Sequence, residues 1–318
     1  MKMKIAIATG DPAGIGPEIS LKAALAPAVR AICRPVVIGD RGVLETHAKL
    51  CGLSLEGIEL VERKQLRPGE LKIGQIDAAH GRATIDTADT AIRGALTGQY
   101  GAVVAAPHTE SAIHAAGIQF DGYPSFVARA AGLAAEDGIL MLCFGHEGRE
   151  VRIAHVTLHA SVARALLLIT RERVARTIRS VHETLRRLSI ERPRIAVSGV
   201  NPHAGEGGLF GDEEQRTVTP AIEDARRAGI AVDGPIGADT LIQKPDYDAC
   251  VVMFHDQGHV AAKLLAPNRA TALTIGTPVL FSSVAHGSAL DIAGTNRASP
   301  AAMIEAVARL AGRRIPAD

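Results

Sequence analysis

The chain has 318 residues, 47% of them hydrophobic, and its 35 basic and 34 acidic side chains give a formal net charge of +1. This length and apolar content suffice to bury a core in each of two α/β lobes, which excludes a disordered protein. The balanced charge, the lack of basic clusters and the absence of tryptophan beside three tyrosines and six phenylalanines argue against a nucleic-acid partner.

Short apolar runs alternate with longer stretches of helical spacing. Predicted strands lie at 4–8, 35–39, 102–106, 139–144, 152–156, 194–200 and 250–254, and predicted helices at 17–26, 41–51, 84–98, 161–188, 213–228 and 299–311. Several strands are apolar on both faces. The alternation predicts an α/β fold with a largely parallel core sheet.

The cysteines and the apolar runs predict a cytoplasmic protein. Cys33, Cys51, Cys143 and Cys250 are far apart and form no C-x-x-C pair, so neither a disulfide framework nor a thiolate zinc site is expected. The opening MKMKIAIATG is broken at its end before it reaches signal-peptide length, and it predicts a first strand. No window approaches the run of about 18 apolar residues that a membrane span requires, so no membrane partner is expected.

A glycine-rich segment, GDPAGIGPE at 10–18, separates the first predicted strand from the first helix. Its glycines do not match the dinucleotide pattern G-x-G-x-x-G, and no lysine-bearing phosphate loop is present. The segment by itself therefore predicts a tight turn.

Three histidines follow predicted strands: His159 after RIAHVTL, His203 after RIAVSGVNP and His255 directly after CVVMF. The carboxyl ends of parallel strands share one edge of a sheet, where ligands bind, so these imidazoles are candidate ligands of one metal ion. Each histidine alone is also compatible with a capping or hydrogen-bonding role. The neighbouring polar residues Asn201, Asp256 and Gln257 are candidates to orient the rings, whereas His155 is expected to be structural and His259 to line the wall of the site.

Lys263 lies eight residues after His255. A lysine there is suited to bind a carboxylate or to relay a proton, and a solvated surface lysine is the alternative.

Six motifs, TGDPAGIGPEI, VTLH, NPHAGEGG, GPIGADT, FHDQGH and HGSALDIAG, resemble those of the 4-hydroxythreonine-4-phosphate dehydrogenase family, and they span nearly the whole chain in the expected order. The resemblance implies an α/β, isocitrate/isopropylmalate dehydrogenase-like two-lobed fold with mostly parallel sheets and a cleft between the lobes. It implies a cofactor-binding lobe at 1–125 plus 258–318 and a metal-binding and dimerisation lobe at 126–257. It also implies a homodimer whose active sites are shared between subunits.

The same resemblance implies the cofactors. Residues His286, Gly287, Ser288 and Asp291 of HGSALDIAG match the loop around the adenosine half of the cofactor, and a carboxylate at Asp291 favours NAD over NADP because it repels a 2′-phosphate. His159, His203 and His255 match the metal ligands. An all-imidazole set favours zinc, with cobalt, nickel, manganese or magnesium as alternatives.

The chain departs from the family where its phosphate-using members hold the substrate. Its Gly122-Tyr123-Pro124-Ser125 replaces Gly-His-Thr-Glu, and Ala272, Phe281 and Glu110 replace an asparagine, an arginine and a basic residue. A phosphate dianion would be poorly neutralised by this set, so we expect a substrate that is not a phosphate ester.

The pattern PHTESAIHAAGIQFDGYPS, together with HVTLHASV, resembles the terephthalate cis-dihydrodiol dehydrogenase branch of the family. It implies NAD- and metal-dependent oxidative decarboxylation of a cyclic cis-dihydrodiol carboxylate to protocatechuate. Catalytic roles fall to Lys263 and Asp256, and substrate binding to Tyr123, Ser125, Lys263 and Phe281. The alternatives are 4-hydroxythreonine-4-phosphate dehydrogenase of pyridoxal phosphate biosynthesis, a sugar-acid phosphate dehydrogenase, and a non-catalytic metal- or ligand-binding relative.

Overall fold

A computed structural model describes residues 2–67, 69–244, 246–267 and 269–312. The strands in this part are β1 (Lys4–Ala8), β2 (Arg34–Gly39), β3 (Glu59–Glu62), β4 (Ala102–Ala105), β5 (Ile139–His146), β6 (Arg149–His155), β7 (Arg194–Ser198), β8 (Ala231–Ile236), β9 (Ala249–Val252), β10 (Thr271–Ile275) and β11 (Phe281–Val284).

The α-helices of the same part are α1 (Gly16–Leu25), α2 (Pro27–Ile32), α3 (Arg41–Cys51), α4 (Ala78–Leu96), α5 (Glu110–Ala115), α6 (Tyr123–Ala130), α7 (Val162–Leu168), α8 (Arg171–Arg187), α9 (Thr219–Arg227), α10 (Ala238–Leu241), α11 (His255–Leu265) and α12 (Ala301–Leu310). Short 3-10 turns lie at Ala135–Asp137 and Leu290–Ile292, a turn with left-handed backbone lies at Pro202–Gly208, and a π-helical turn lies at Glu214–Val218.

The described residues form two compact units. The first contains the residues up to Asp137 and those from Thr277 onward, and the second lies within Gly138–Gly276. The lobe boundaries predicted from the resemblance are 125/126 and 257/258, and residues 313–318 of the predicted cofactor-binding lobe lie outside the described residues. The functional roles of the two lobes remain a prediction.

The first unit contains a parallel sheet in the order β3-β2-β1-β4-β11. Its central strands are buried along most of their length, and Ile5, Ile7, Val103 and Val104 are fully buried. Strands that are covered on both faces need continuous apolar runs, as the sequence of β1 shows. The expected parallel α/β arrangement is confirmed in this unit.

The second unit contains a mixed sheet in the order β10-β5-β6-β9-β7-β8. Strands β6, β9, β7 and β8 are parallel, whereas β10 and β6 both run antiparallel to β5. The predicted, largely parallel sheet is confirmed, and its antiparallel pairs are those of β5. Its two-residue connection to β6, Glu147-Gly148, has positive φ at both positions (48° and 73°), which is the backbone of a tight hairpin.

The single helix predicted at 161–188 is two helices, α7 and α8. The break follows from Thr170, which lies outside the helix in extended conformation and accepts a hydrogen bond from the backbone N–H of Arg173. Helix α8 buries Val174, Ile178, Val181 and Leu185 along one face. None of the helices in the described residues combines the length and apolarity that a membrane crossing requires.

Candidate active site

The candidate site of the second unit lies at the carboxyl ends of three adjacent parallel strands. Strand β9 pairs with β6 on one side and with β7 on the other. The segments that carry His159, His203 and His255 follow β6, β7 and β9 respectively. The predicted placement of each histidine beyond the end of a strand is therefore what the structure shows.

Four imidazoles form a continuous row at this edge. The ring of His155, at the end of β6, lies 4.8 Å from that of His259, measured between centroids. The rings of His259 and His255 are stacked, with centroids 3.8 Å apart and planes 7° from parallel. The rings of His255 and His159 are 5.8 Å apart. Two of the three predicted metal ligands, His159 and His255, are thus neighbours within one chain.

The ring of His255 is oriented by a carboxylate. Its Nδ1 lies 2.7 Å from Oδ1 of Asp256, and because a carboxylate only accepts, Nδ1 must carry the proton. The Nε2 lone pair is then left for a ligand, an arrangement typical of metal-binding histidines. The expected orienting role of Asp256 agrees with this contact.

Gln257 joins the ends of two strands. Its Oε1 accepts hydrogen bonds from the backbone N–H groups of Met253 (2.8 Å) and Phe254 (3.1 Å), and its Nε2 donates to the carbonyl of Gly199 (3.2 Å). Gln257 therefore fixes the chain that leads into α11 against the chain that leaves β7.

His203 is separate from this row. It lies in the turn Pro202–Gly208, its side chain is 65% exposed, and its ring packs edge-on against Phe210 at 6.0 Å. Within the described residues of one chain, no group of three or more His, Cys, Asp or Glu side chains is close enough to hold a metal ion. One chain therefore assembles two of the three predicted imidazoles, and the complete ligand set stays a prediction.

Burial keeps the inner two histidines neutral. Burial lowers the pKa of His155 to about 3, with the charge of His259 acting in the same direction. Burial also lowers the pKa of His259 to about 4, and His255 adds to that effect. Nδ1 of His259 donates to the carbonyl of His255 at 3.2 Å, and the buried Nε2 of His155 has no hydrogen-bond partner. The expectation that His259 lines the wall of the site agrees with its position between His155 and His255.

Lys263 lies in the last turn of α11, and its side chain is exposed. Its positive charge contributes to the lowered pKa of His259, which places the ammonium group within electrostatic reach of the row. This position is compatible with both the predicted catalytic role and a solvated lysine.

In the first unit, three loops meet at the carboxyl ends of β1, β4 and β11. The backbone N–H of Ile15 donates to the carbonyl of Ser288 (2.9 Å), and the hydroxyl of Thr109 donates to the hydroxyl of Ser288 (2.9 Å). A Cβ at Gly14 would lie 2.6 Å from the Ser288 carbonyl oxygen, so only glycine permits this approach. The turn at 10–18 is therefore built against the predicted cofactor loop.

The other predicted cofactor residues lie on the same loop. His286 is half-buried, with Nδ1 3.2 Å from the carbonyl of Gly287, while Gly287 and Asp291 are exposed. An exposed carboxylate at Asp291 can accept hydrogen bonds from the hydroxyls of a ribose. The cofactor-binding role of these residues remains a prediction.

The predicted substrate residues of the first unit lie mainly in its core. Tyr123 and Phe281 are 4% and 0% exposed, and their rings contact each other at 5.0 Å. Burial raises the pKa of Tyr123, whose hydroxyl has no hydrogen-bond partner. Ser125 is half-buried and interacts with Asp121. Neither aromatic ring has a free surface on which a substrate would lie in this structure.

Glu214 and Thr109 were not predicted from the sequence as site residues. The carboxylate of Glu214 is buried and accepts hydrogen bonds from the chain that leads to His203, and Thr109 ties its loop to Ser288. A glutamate 11 residues after His203 gives no periodic signal, because its partners are backbone groups brought to it by the fold. The available signal was its position six residues after the motif NPHAGEGG, which carries His203.

Comparison with known proteins identifies the family. Residues 31–310 match the model of the pyridoxal phosphate biosynthetic protein PdxA. The chain belongs to the PdxA family. It is 42% identical over 312 residues to a 1,2-dihydroxy-3,5-cyclohexadiene-1,4-dicarboxylate dehydrogenase from a Comamonas species, covering 96% of each chain. The resemblance predicted from the motifs is confirmed.

Solved structures extend the PdxA comparison. A terephthalate 1,2-cis-dihydrodiol dehydrogenase from Burkholderia xenovorans LB400 is 41% identical with a TM-score of 0.75, and a 4-hydroxythreonine-4-phosphate dehydrogenase from Burkholderia phymatum is 34% identical with a TM-score of 0.83. Both comparisons cover 98% of each chain. A β-decarboxylating dehydrogenase from Thermococcus kodakarensis, 18% identical with a TM-score of 0.55, shares the fold. The named relatives are dehydrogenases, which supports an oxidoreductase.

Proposed function

We propose that this PdxA-family protein oxidises and decarboxylates a cyclic cis-dihydrodiol carboxylate with NAD and a divalent metal, giving protocatechuate. The observation that carries the proposal is the pair His159 and His255, with Asp256 bound to Nδ1 of His255 so that Nε2 is left for a ligand. The 42% identity to a dihydrodiol dicarboxylate dehydrogenase supports the substrate class. The replacement of an expected arginine by the buried Phe281 argues against a phosphate ester.

The reaction requires hydride and proton removal followed by loss of carbon dioxide. The carbinol hydrogen leaves as hydride to NAD⁺, and the hydroxyl proton leaves to a base. The bond between the ring and the adjacent carboxylate then breaks, carbon dioxide departs, and the electron pair stays in the ring, which becomes an aromatic phenolate. A divalent ion held by His159, His203 and His255, with zinc the favoured metal, would supply Lewis-acid stabilisation of the developing oxyanion.

The chain's own residues have distinct tasks in this scheme. Asp256 holds His255 in the tautomer that leaves Nε2 for the metal. Lys263 binds a substrate carboxylate or relays the hydroxyl proton. Ser288 and Asp291 belong to the loop that holds the adenosine half of NAD, and Gly14 and Thr109 support that loop.

We propose that the active form is a homodimer whose sites use residues of both subunits. One chain brings only two of the three imidazoles together. Large apolar side chains are exposed beside each predicted ligand segment: Val162, Leu166 and Leu167 after His159, Leu209 and Phe210 after His203, and Val260 and Leu264 after His255. Exposed apolar residues of this kind typically mark a protein interface.

The proposal is tested by comparing substrates in one steady-state assay. Purified protein with zinc and NAD should form NADH and release carbon dioxide in equal amounts from the cis-dihydrodiol of terephthalate. A preference for 4-hydroxythreonine 4-phosphate would instead establish the second candidate function, 4-hydroxythreonine-4-phosphate dehydrogenase. The 34% identity to the Burkholderia phymatum enzyme supports this second candidate. Failure to bind NAD in calorimetry would favour a non-catalytic relative.

A further inference from the structure

The turn that carries His203 has an unusual backbone. Six consecutive residues, 203–208, have positive φ values of 52°, 53°, 79°, 44°, 69° and 108°. Three of them are glycines, and the left-handed region is unfavourable for the other three, His203, Ala204 and Glu206, because of their Cβ atoms. A run of this kind persists only where the surroundings hold it in place.

The carboxylate of Glu214 lies at the base of this turn. The side chain is buried, and Oε1 accepts hydrogen bonds from the backbone N–H groups of Val200 and Asn201, both at 2.7 Å. Oε2 accepts a third hydrogen bond from Nδ2 of Asn201 at 3.0 Å. Asn201 Nδ2 also donates to Glu213 at 2.7 Å. Three donors from the segment that enters the turn therefore converge on one side chain.

The backbone of the turn also approaches Glu214 closely at Gly205. A Cβ at Gly205 would lie 2.7 Å from Oε2 of Glu214, whereas a Cβ at Gly207 would meet nothing within 4 Å. Both glycines have positive φ. A Cβ at Gly205 would also lie 3.2 Å from the carbonyl oxygen of Gly211, so the main difference between the two positions is the close approach of the carboxylate. Gly205 and Gly207 therefore provide a pair of variants for experiment.

We infer that Glu214 is the positioning residue for His203: its carboxylate holds the left-handed turn and so sets where that imidazole can meet a metal ion. The inference rests on the proposed function in taking His203 as a ligand. A glutamine cannot replace the carboxylate here. Its amide nitrogen is a donor and would stand where Oε2 now accepts from Nδ2 of Asn201, so that two donors would face each other. Glu214 acts through the turn and does not contact the metal.

The test uses the full-length protein with Glu214→Gln, and Glu223→Gln on the exposed face of α9 as the charge-matched control. Hydrogen exchange of peptides covering 199–211 and zinc binding by calorimetry are both measured. We expect Glu214→Gln to raise exchange in these peptides and to weaken zinc binding about 10- to 100-fold. Glu223→Gln should match the wild type in both measurements.

A second pair of variants tests the inference independently, in case Glu214→Gln does not fold. Gly205→Ala, which meets the carboxylate, should raise exchange and weaken zinc binding more than Gly207→Ala, which has the backbone strain alone. Unchanged exchange in Glu214→Gln, or raised exchange with wild-type zinc affinity, overturns the inference. If the wild type itself does not bind zinc, the proposed metal set fails, and the exchange measurements alone decide whether Glu214 holds the turn.

Discussion

The imidazole of His259 lies flat against that of His255, with ring centroids 3.8 Å apart and planes 7° from parallel. His259 is itself backed by the buried ring of His155 at 4.8 Å. Because Asp256 fixes the tautomer of His255 and His259 covers one face of its ring, the direction of its Nε2 lone pair is set before any ligand arrives.

Removing the ring of His259 should leave the side chain of His255 less well oriented. A ring pair of this kind contributes about 0.5–1.5 kcal/mol, which corresponds to roughly a two- to tenfold change in an equilibrium constant. We expect His259→Ala to weaken zinc binding by about that factor in calorimetry, and His259→Phe to restore most of the affinity because a flat ring is retained. Equal affinities for the two variants would show that stacking does not orient His255.

Loss of His255 itself should abolish metal binding and turnover. The side chain is one-third exposed, so His255→Ala leaves no large cavity, and we expect the free energy of unfolding to change by less than about 1 kcal/mol. His114→Ala, an exposed histidine at the end of α5, is the control and should retain activity. NADH formation and zinc content are the measurements. Full activity in metal-free His255→Ala would refute the ligand assignment.

Gly258 lies where α11 approaches His155 closely. We therefore expect any larger residue at this position to destabilise the protein. A Cβ at this position would overlap Nε2 of His155, so Gly258→Ala should destabilise the protein by about 1–3 kcal/mol through overpacking. Gly42→Ala in α3 has nothing within 4 Å of the added atom and should be neutral or stabilising by about 0.5–1 kcal/mol. Urea unfolding of both variants provides the comparison, and equal stabilities would contradict the packing argument.

The buried imidazole of His155 should make the protein less stable in acid. Its pKa is about 3 in the folded protein against an ordinary value of 6.5. Above pH 6.5 the ring is neutral in both states. Between these two values the unfolded chain binds a proton that the folded chain does not, so stability falls as the pH is lowered and levels off below about pH 3.

Replacing His155 by leucine removes that proton from the unfolded state. We expect the melting temperature of His155→Leu to depend less on pH than that of the wild type between pH 6.5 and pH 4, even though the variant also changes packing at neutral pH. His259, with a pKa of about 4, acts in the same direction and remains in both proteins. Parallel melting curves across this range would show that His155 does not carry the effect.

A charge on the exposed apolar surface should dissociate the proposed dimer. Leu264 on α11 is 76% exposed, and Leu264→Glu would place a carboxylate where the proposed partner subunit excludes water. Light scattering after size exclusion should show the mass of a monomer, and calorimetry should show a reduced zinc affinity. Leu50→Glu on α3, at a leucine that is 52% exposed in the first unit, should keep the mass and zinc affinity of the wild type.

The sequence by itself determined the family, the alternation of strands and helices, and the position of His159, His203 and His255 beyond strand ends. These features are local: a buried parallel strand needs a continuous apolar run, and the motifs lie at the strand ends where ligands bind. Helix α3 was predicted at 41–51 and lies at Arg41–Cys51. The strands β5 and β6 were predicted as strands, but their antiparallel pairing was not, because a run such as ILMLCF does not reveal the direction of its neighbour.

Only the tertiary structure decided which groups meet. The packing of His259 against His155, the burial of Tyr123 against Phe281, and the three hydrogen bonds to Glu214 join residues whose separations carry no periodic signal. Such contacts depend on strand order and on backbone conformations, including the left-handed turn at 203–207, which the fold imposes against the preference of its residues.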